Sequence, residues 1–157
     1  MKSKNKTKFN LGKFLLCILI TEGIGILGSF FTATSVKTWY VTDVIKSSFN
    51  PPSWVFGPVW TLLFLLMGIA LYLVWNHKNN LFWFWVQLIL NFFWSVLFFG
   101  LRSPTLAFYE ILILWLAILM TIIRFWQYKK SASILLWPYL AWVSFATFLN
   151  YSIMILN

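Results

Sequence analysis

The chain has 157 residues, of which 61% are hydrophobic, 22% aromatic and 10% charged, with a mean hydropathy of +0.82. A soluble domain carries about 25% charged residues, so an ordinary water-soluble globule is excluded, and so is disorder, which requires low hydrophobicity. Twelve basic residues against three acids give a net charge of +9; in a soluble chain that balance points to nucleic acid, but here it must be judged by where the charges fall.

Apolar runs of about 18 residues or more read as membrane helices. The first covers residues 14–31, the second 55–75, the third 81–101, the fourth 105–126 and the fifth 134–156. At about 1.5 Å per residue each is roughly 27–35 Å long, which matches a hydrocarbon core. Pro51, Pro52 and Pro58 punctuate the start of the second run, and Pro138 falls in the first turns of the fifth, where a missing N–H costs little. The basic start and apolar stretch of the first run also fit a cleaved signal peptide. Its length, Glu22 and three glycines favour a retained helix. Short polar loops join the runs, except for residues 32–54, a long connection whose Trp39, Tyr40, Phe49 and Trp54 argue for something that packs. The expected fold is an all-α membrane protein, a five-transmembrane-helix bundle forming one domain over residues 1–157.

The charges then sort by side. Lys2, Lys4, Lys6, Lys8, Lys13, Lys78, Arg124, Lys129 and Lys130 fall on one side, and Lys37, Lys46 and Arg102 on the other. Nine against three predicts a cytoplasmic N-terminus, with the long loop and the C-terminus outside. Topology and anionic headgroups account for the basic pI, and no nucleic acid is needed. Cys17 is the only cysteine and His77 the only histidine. With Glu22, Asp43 and Glu110 they are too few for a disulfide, a CxxC pair, a zinc or di-metal site or a Ser-His-Asp triad, so no metal and no resident cofactor are expected.

Polar groups inside a bilayer usually face the bundle interior. Gln87, Asn91 and Ser95 form one stripe of the third run, with Trp94 beside them. Interhelical hydrogen bonding explains Gln87 and Ser95; for Asn91 that role and ligand contact weigh equally. The fifth run carries Tyr139, Trp142, Ala146 and Asn150 on one face, a small residue among large ones that leaves a concavity. The second has Gly57, Thr61, Phe64, Gly68 and Tyr72, with Trp60 alongside. Of eleven tryptophans, Trp39, Trp54, Trp75, Trp83, Trp85, Trp126 and Trp137 lie near span ends as an interfacial belt. Trp60, Trp94 and Trp142 read as pocket wall, and Trp115 as filler. Glu22 and Glu110 lie within apolar spans, where an acid costs about 2.5–3.5 kcal/mol on insertion scales. Either is a functional candidate or a carboxyl bonded to a neighbouring carbonyl; Gly23, Gly25 and Gly28 favour a structural role around Glu22.

These residues carry a resemblance. The run from Pro51, Pro52, Ser53 and Trp54 through Phe56, Gly57, Pro58, Trp60 and Thr61 resembles the signature of the translocator protein / tryptophan-rich sensory protein family (TspO/MBR). Asn91 and Trp94 resemble its third-helix motif; Pro138, Tyr139, Trp142, Ala146, Leu149 and Asn150 resemble its fifth. The resemblance covers residues from about 21 to 151. It implies a five-helix bundle, often a homodimer, that binds porphyrins such as protoporphyrin IX or other hydrophobic small molecules, with the first long loop as a lid. It also implies a ligand site made of Tyr40, Pro51, Trp60, Asn91, Trp94, Trp142, Ala146 and Leu149, with an acid at Glu110 that is family-like. Trp60 and Trp142 match two tryptophans implicated in light-dependent porphyrin breakdown in some bacterial members. The setting is then a bacterial cell membrane. Three departures stand out. Lys46-Ser47 replaces the usual Lys-Pro, no basic residue follows Tyr151 to complete a sterol motif, and the third run offers only Ser95 before Gly100 for a small-residue dimer seam.

The favoured function is a membrane-embedded binding site for metal-free porphyrin, since no histidine lies within the spans to ligate haem. Three other classes compete: a proton-coupled transporter using Glu22 or Glu110, a light-dependent porphyrin-degrading enzyme using Trp60 or Trp142, and a structural membrane partner with no ligand.

Overall fold

The computed structural model describes residues 9–76 and 81–157. Lys2, Lys4, Lys6, Lys8, His77 and Lys78 lie outside the described residues. Within them the chain is helical: α1 is Leu11–Ser35, α2 Phe56–Val74, α3 Phe82–Ser95, α4 Pro104–Tyr128, α5 Lys130–Ile134 and α6 Trp137–Leu156. No strand occurs among the described residues. Five helical spans are long and apolar enough to cross a membrane: Leu11–Tyr40, Ser53–Val74, Phe82–Gly100, Pro104–Tyr128 and Lys130–Leu156. The protein is an integral membrane five-helix bundle.

Local chemistry sets the ends. Asn10 caps α1, its side chain accepting from the Lys13 N–H at 2.9 Å. The Asn10 N–H donates to the Tyr72 hydroxyl at 2.9 Å, which ties the start of α1 to the end of α2. Arg102, at φ 52°, supplies the left-handed residue that reverses the chain between the third and fourth spans. Pro104 then opens α4 and Pro138 opens α6, both within the first turn, where their missing N–H groups have no intrahelical role.

The long connection is shorter than its sequence suggests. Residues 32–54 read as a loop, yet α1 runs to Ser35, a π-helical turn continues it over Val36–Tyr40, and Val41 and Thr42 are still helical. The reason lies in the hydroxyls that made this stretch look loop-like. Thr32, Thr34 and Thr38 donate back to the carbonyls of Gly28, Phe30 and Thr34 at 3.3, 3.2 and 3.0 Å, and Thr42 donates to the Thr38 carbonyl. Each hydroxyl is satisfied within the helix, so polarity does not end it. Ser35 donates instead to the Phe99 carbonyl at 2.7 Å and pins α1 to the end of the third span. The fifth span departs the other way. It is broken at Leu135 and Leu136 into α5 and α6.

α1 packs on α2 and α3, and α4 packs on α3, α5 and α6; α5 returns to α2 and closes the ring at the end where α1 begins. Glycines set the closest approach. A methyl group at Gly68 would lie 2.7 Å from the Ile18 side chain and 2.8 Å from the Thr21 hydroxyl, and one at Gly25 would lie 2.6 Å from the Phe64 ring. Thr21 donates to the Phe64 carbonyl at 2.8 Å across that seam. Two apolar cores result. The larger holds Met67, Leu71, Phe84, Ile118, Phe125 and Val143; a smaller one at the loop end holds Tyr40, Val44, Phe98, Phe99, Ala107 and Ile153.

Candidate functional site: an aromatic cavity inside the bundle

The α1–α2 seam closes only as far as Gly25 and Phe64. Beyond it, toward the loop end, the helices enclose a cavity of about 440 Å³. That volume falls in the range of small-molecule sites, about 300–1,000 Å³. Aromatic rings stand in the wall on three sides: Phe56, Trp60 and Phe64 from α2, Trp94, Phe98 and Phe99 from the third span, and Trp142 from α6. Ala146, Leu149, Asn150 and Ile153 complete the α6 side. The cavity reaches the molecular surface between α1 and α2, because Ile26, Ser29, Ala33, Gly57 and Thr61 both line it and are exposed.

The walls brace one another. Trp60 packs on Phe64 and edge-on to Tyr139, with centroids 5.7 and 6.3 Å away. Trp142 meets Phe56 at 6.1 Å, and Trp94 stacks on Phe98 at 5.1 Å. The polar atoms are few and mostly engaged. The Asn91 amide donates to the Tyr139 hydroxyl at 2.8 Å. The Trp94 indole donates to the Asn150 Oδ1 at 3.1 Å, and the Asn150 amide donates to the Pro104 carbonyl at 2.8 Å. Asn91 therefore joins α3 to α6 and also faces the cavity. The Trp142 indole N–H is buried and has no partner among the described residues.

Most of the expected site residues come together here. Trp60, Asn91, Trp94, Trp142, Ala146 and Leu149 all line the cavity, and so does Tyr40, which is buried at the loop end. Pro51 and Glu110 do not. Pro51 acts one step back: Asn50 accepts from the Tyr40 hydroxyl at 2.8 Å and its amide donates to the Pro51 carbonyl at 3.1 Å, so the loop is fastened to Tyr40. Glu110 is 9% exposed, on the face of α4 turned toward α6, and neither carboxyl oxygen has a hydrogen-bond partner among the described residues. Glu22, read from its glycine neighbours as structural, stands in the cavity wall. Trp115, read as filler, donates to the Ser144 hydroxyl at 2.8 Å and links α4 to α6.

Sequence reasoning missed the α1 wall. Thr32, Val36 and Lys37 line the cavity because the helix continues past residue 31. The signal was present: Glu22, Gly25, Ser29, Thr32, Val36 and Tyr40 keep helical spacing straight through the hydroxyl-rich stretch. Two π-helical turns, Val36–Tyr40 and Val96–Gly100, border the cavity and widen the backbone where Tyr40, Phe98 and Phe99 turn inward.

Known proteins resemble this chain in sequence. The TspO/MBR family profile matches residues 17–156. The chain is 47% identical to the tryptophan-rich protein TspO of Archaeoglobus fulgidus over 156 residues, covering 94% of this chain and 99% of that one. It is 37% identical to the human translocator protein over 135 residues, 81% and 79% of the two chains. It is 35% identical to the tryptophan-rich sensory protein of Cereibacter sphaeroides over 122 residues, 76% and 77% of the two. A match over nearly the whole chain, on the helices that build the cavity, makes this protein a member of the TspO/MBR family.

Proposed function

We propose that this member of the family binds porphyrin, with metal-free protoporphyrin IX as the reference ligand, inside the bundle. The observation that carries the reading is the aromatic lining of the cavity: Trp60, Trp94, Trp142, Phe56 and Phe98 offer ring faces and edges to a flat macrocycle. No histidine is among the lining residues, so the donor set suits the free macrocycle better than a ligated haem. The buried Trp142 N–H is a hydrogen-bond donor left over for a ligand acceptor. The opening between α1 and α2 gives a ligand its way in. Light-dependent breakdown of the ligand is a second reading, favoured because both Trp60 and Trp142 face the space it would occupy.

The split of basic residues supports an orientation with the N-terminus cytoplasmic and the loop end outside. Titration of the purified protein with protoporphyrin IX, followed by tryptophan fluorescence, tests the binding reading. Saturable quenching is expected, and the Trp60→Phe/Trp142→Phe double variant should weaken binding at least about tenfold, the scale of one lost aromatic contact plus one lost donor. Wild-type affinity in that variant overturns the assignment of the cavity.

A further inference from the structure

Among the described residues two charged side chains line the cavity, Glu22 from α1 and Lys37 from the π-helical turn that continues it. Glu22 lies toward the α1–α2 seam and Lys37 toward the loop end. Fifteen residues of helix place them about 22 Å apart along the axis. The cavity therefore has an electrical direction, with an acid at its inner end and a base at its outer end.

Lys37 is also the base that the cavity wall offers at that end. Lys46 donates to the Tyr40 carbonyl, and its ammonium sits 4.8 Å over the Tyr40 ring. Arg102 lies in the turn before α4 and is not part of the wall. Lys37 is exposed, and no hydrogen bond or ion pair engages its ammonium among the described residues. Its long apolar stem can lie along the cavity rim while the ammonium reaches the water boundary. At that level a carboxylate is only partly desolvated, and a charge-assisted hydrogen bond to it gains more than a neutral one.

Resting on the porphyrin reading above, we propose that Lys37 anchors a ligand carboxylate and so fixes which way the ligand lies. The class of ligand is a flat apolar body with its carboxylates on one edge. The apolar edge goes in first, against Trp60 and Trp142, and the acidic edge stays at the Lys37 rim. The reverse pose would bury the carboxylates beside the Glu22 carboxyl, away from the base of the wall, and is disfavoured by desolvation. Lys37 is thus a specificity-determining residue that separates acidic macrocycles from neutral ones of the same shape.

The test uses the full-length protein in detergent with two probes, protoporphyrin IX and its dimethyl ester. The measured quantity is the ratio of their affinities. In Lys37→Gln that ratio is expected to fall about tenfold, the worth of one charge-assisted hydrogen bond, through weaker binding of the diacid alone. Lys37→Arg should restore it, and Arg102→Gln, which removes a cation of the same end outside the wall, should leave it at the wild-type value. An unchanged ratio in Lys37→Gln overturns the anchor, and so does an equal fall in Arg102→Gln, which would mean general surface charge. Failure of the wild-type protein to bind either probe overturns the porphyrin reading itself, and the anchor with it.

Discussion

The two halves of the bundle use similar residues to opposite ends. In the half where α1 begins, α1 and α2 approach until a methyl group at Gly68 would strike Ile18 and Thr21. There Phe84 stacks on Phe125 at 5.8 Å with both rings buried, and α5 closes the ring of helices. In the loop half, the same helices are held apart by Trp60, Trp94, Trp142 and Phe56 around a cavity, and a methyl group at Gly57 would meet nothing within 4 Å. The difference teaches that aromatic content does not decide whether a membrane bundle is solid or hollow. Lipid tails are as apolar as the helices, so association depends on close packing and a few hydrogen bonds. Where glycines let backbones meet, aromatics fill the remaining gaps. Where they do not, aromatics become walls.

The comparison can be broken first at Phe84. Its ring is fully buried in the solid half, and Phe84→Ala leaves a void that the surrounding helices cannot fill by collapse. The expected loss is about 3–5 kcal/mol, read as a large drop in the midpoint of detergent-solubilised thermal unfolding. If the protein tolerates the change with a shift no larger than that of a surface substitution, the solid half is not what holds the bundle together.

Gly68→Ala is a smaller change with a sharper control. The added methyl group would sit 2.9 Å from the Ile18 backbone, so α1 and α2 must separate, and the Thr21 hydrogen bond to Phe64 is strained. The expected cost is about 1–3 kcal/mol. Gly57→Ala adds the same methyl group to the hollow half, where there is open space, and its stability should match wild type. The difference between the two glycine variants, measured under one detergent condition, reports directly on how unlike the two halves are.

The sequence made the helix count legible, because it rests on hydrophobic run length. It also made most of the inner wall legible, through the helical spacing of Tyr139, Trp142 and Ala146 and through the motif residues around Trp60 and Asn91. The α1 wall was missed for a definite reason: a threonine followed by alanine, threonine and serine carries the composition of a loop and hides the helical spacing from Glu22 to Tyr40, and the back-bonding of the hydroxyls to the previous turn is what lets the helix continue. Glu110 illustrates the opposite limit. Its position in an apolar span marked it as functional, but which way a helix turns one side chain is settled by packing. Here α4 turns Glu110 toward α6 and away from the cavity wall. Pairings between distant segments were illegible as well. Nothing in the chain announces that Trp115 reaches Ser144, or that the residue at position 157 reaches the loop.

That last pairing gives the smallest expected effect. The side chain of Asn157 accepts from the Ile45 N–H at 2.9 Å and donates to the Ile45 carbonyl at 3.0 Å, a two-bond clasp between the end of α6 and the loop. The clasp is exposed, so each bond competes with water, and Asn157→Ala should cost less than about 1 kcal/mol of global stability. Its effect should appear in exchange instead. Of the loop's fastenings the outer one, Asn157 at Ile45, is exposed, whereas Asn50 at the Tyr40 hydroxyl and Lys46 at the Tyr40 carbonyl are partly buried. Removing the outer one leaves Tyr40 in the cavity wall but lets the loop lift from it more often. Porphyrin release, followed by stopped-flow fluorescence, should quicken a few-fold with the equilibrium stability nearly unchanged. An unaltered release rate would show that the hollow half is closed at Tyr40 and that the clasp beyond it is only a surface contact.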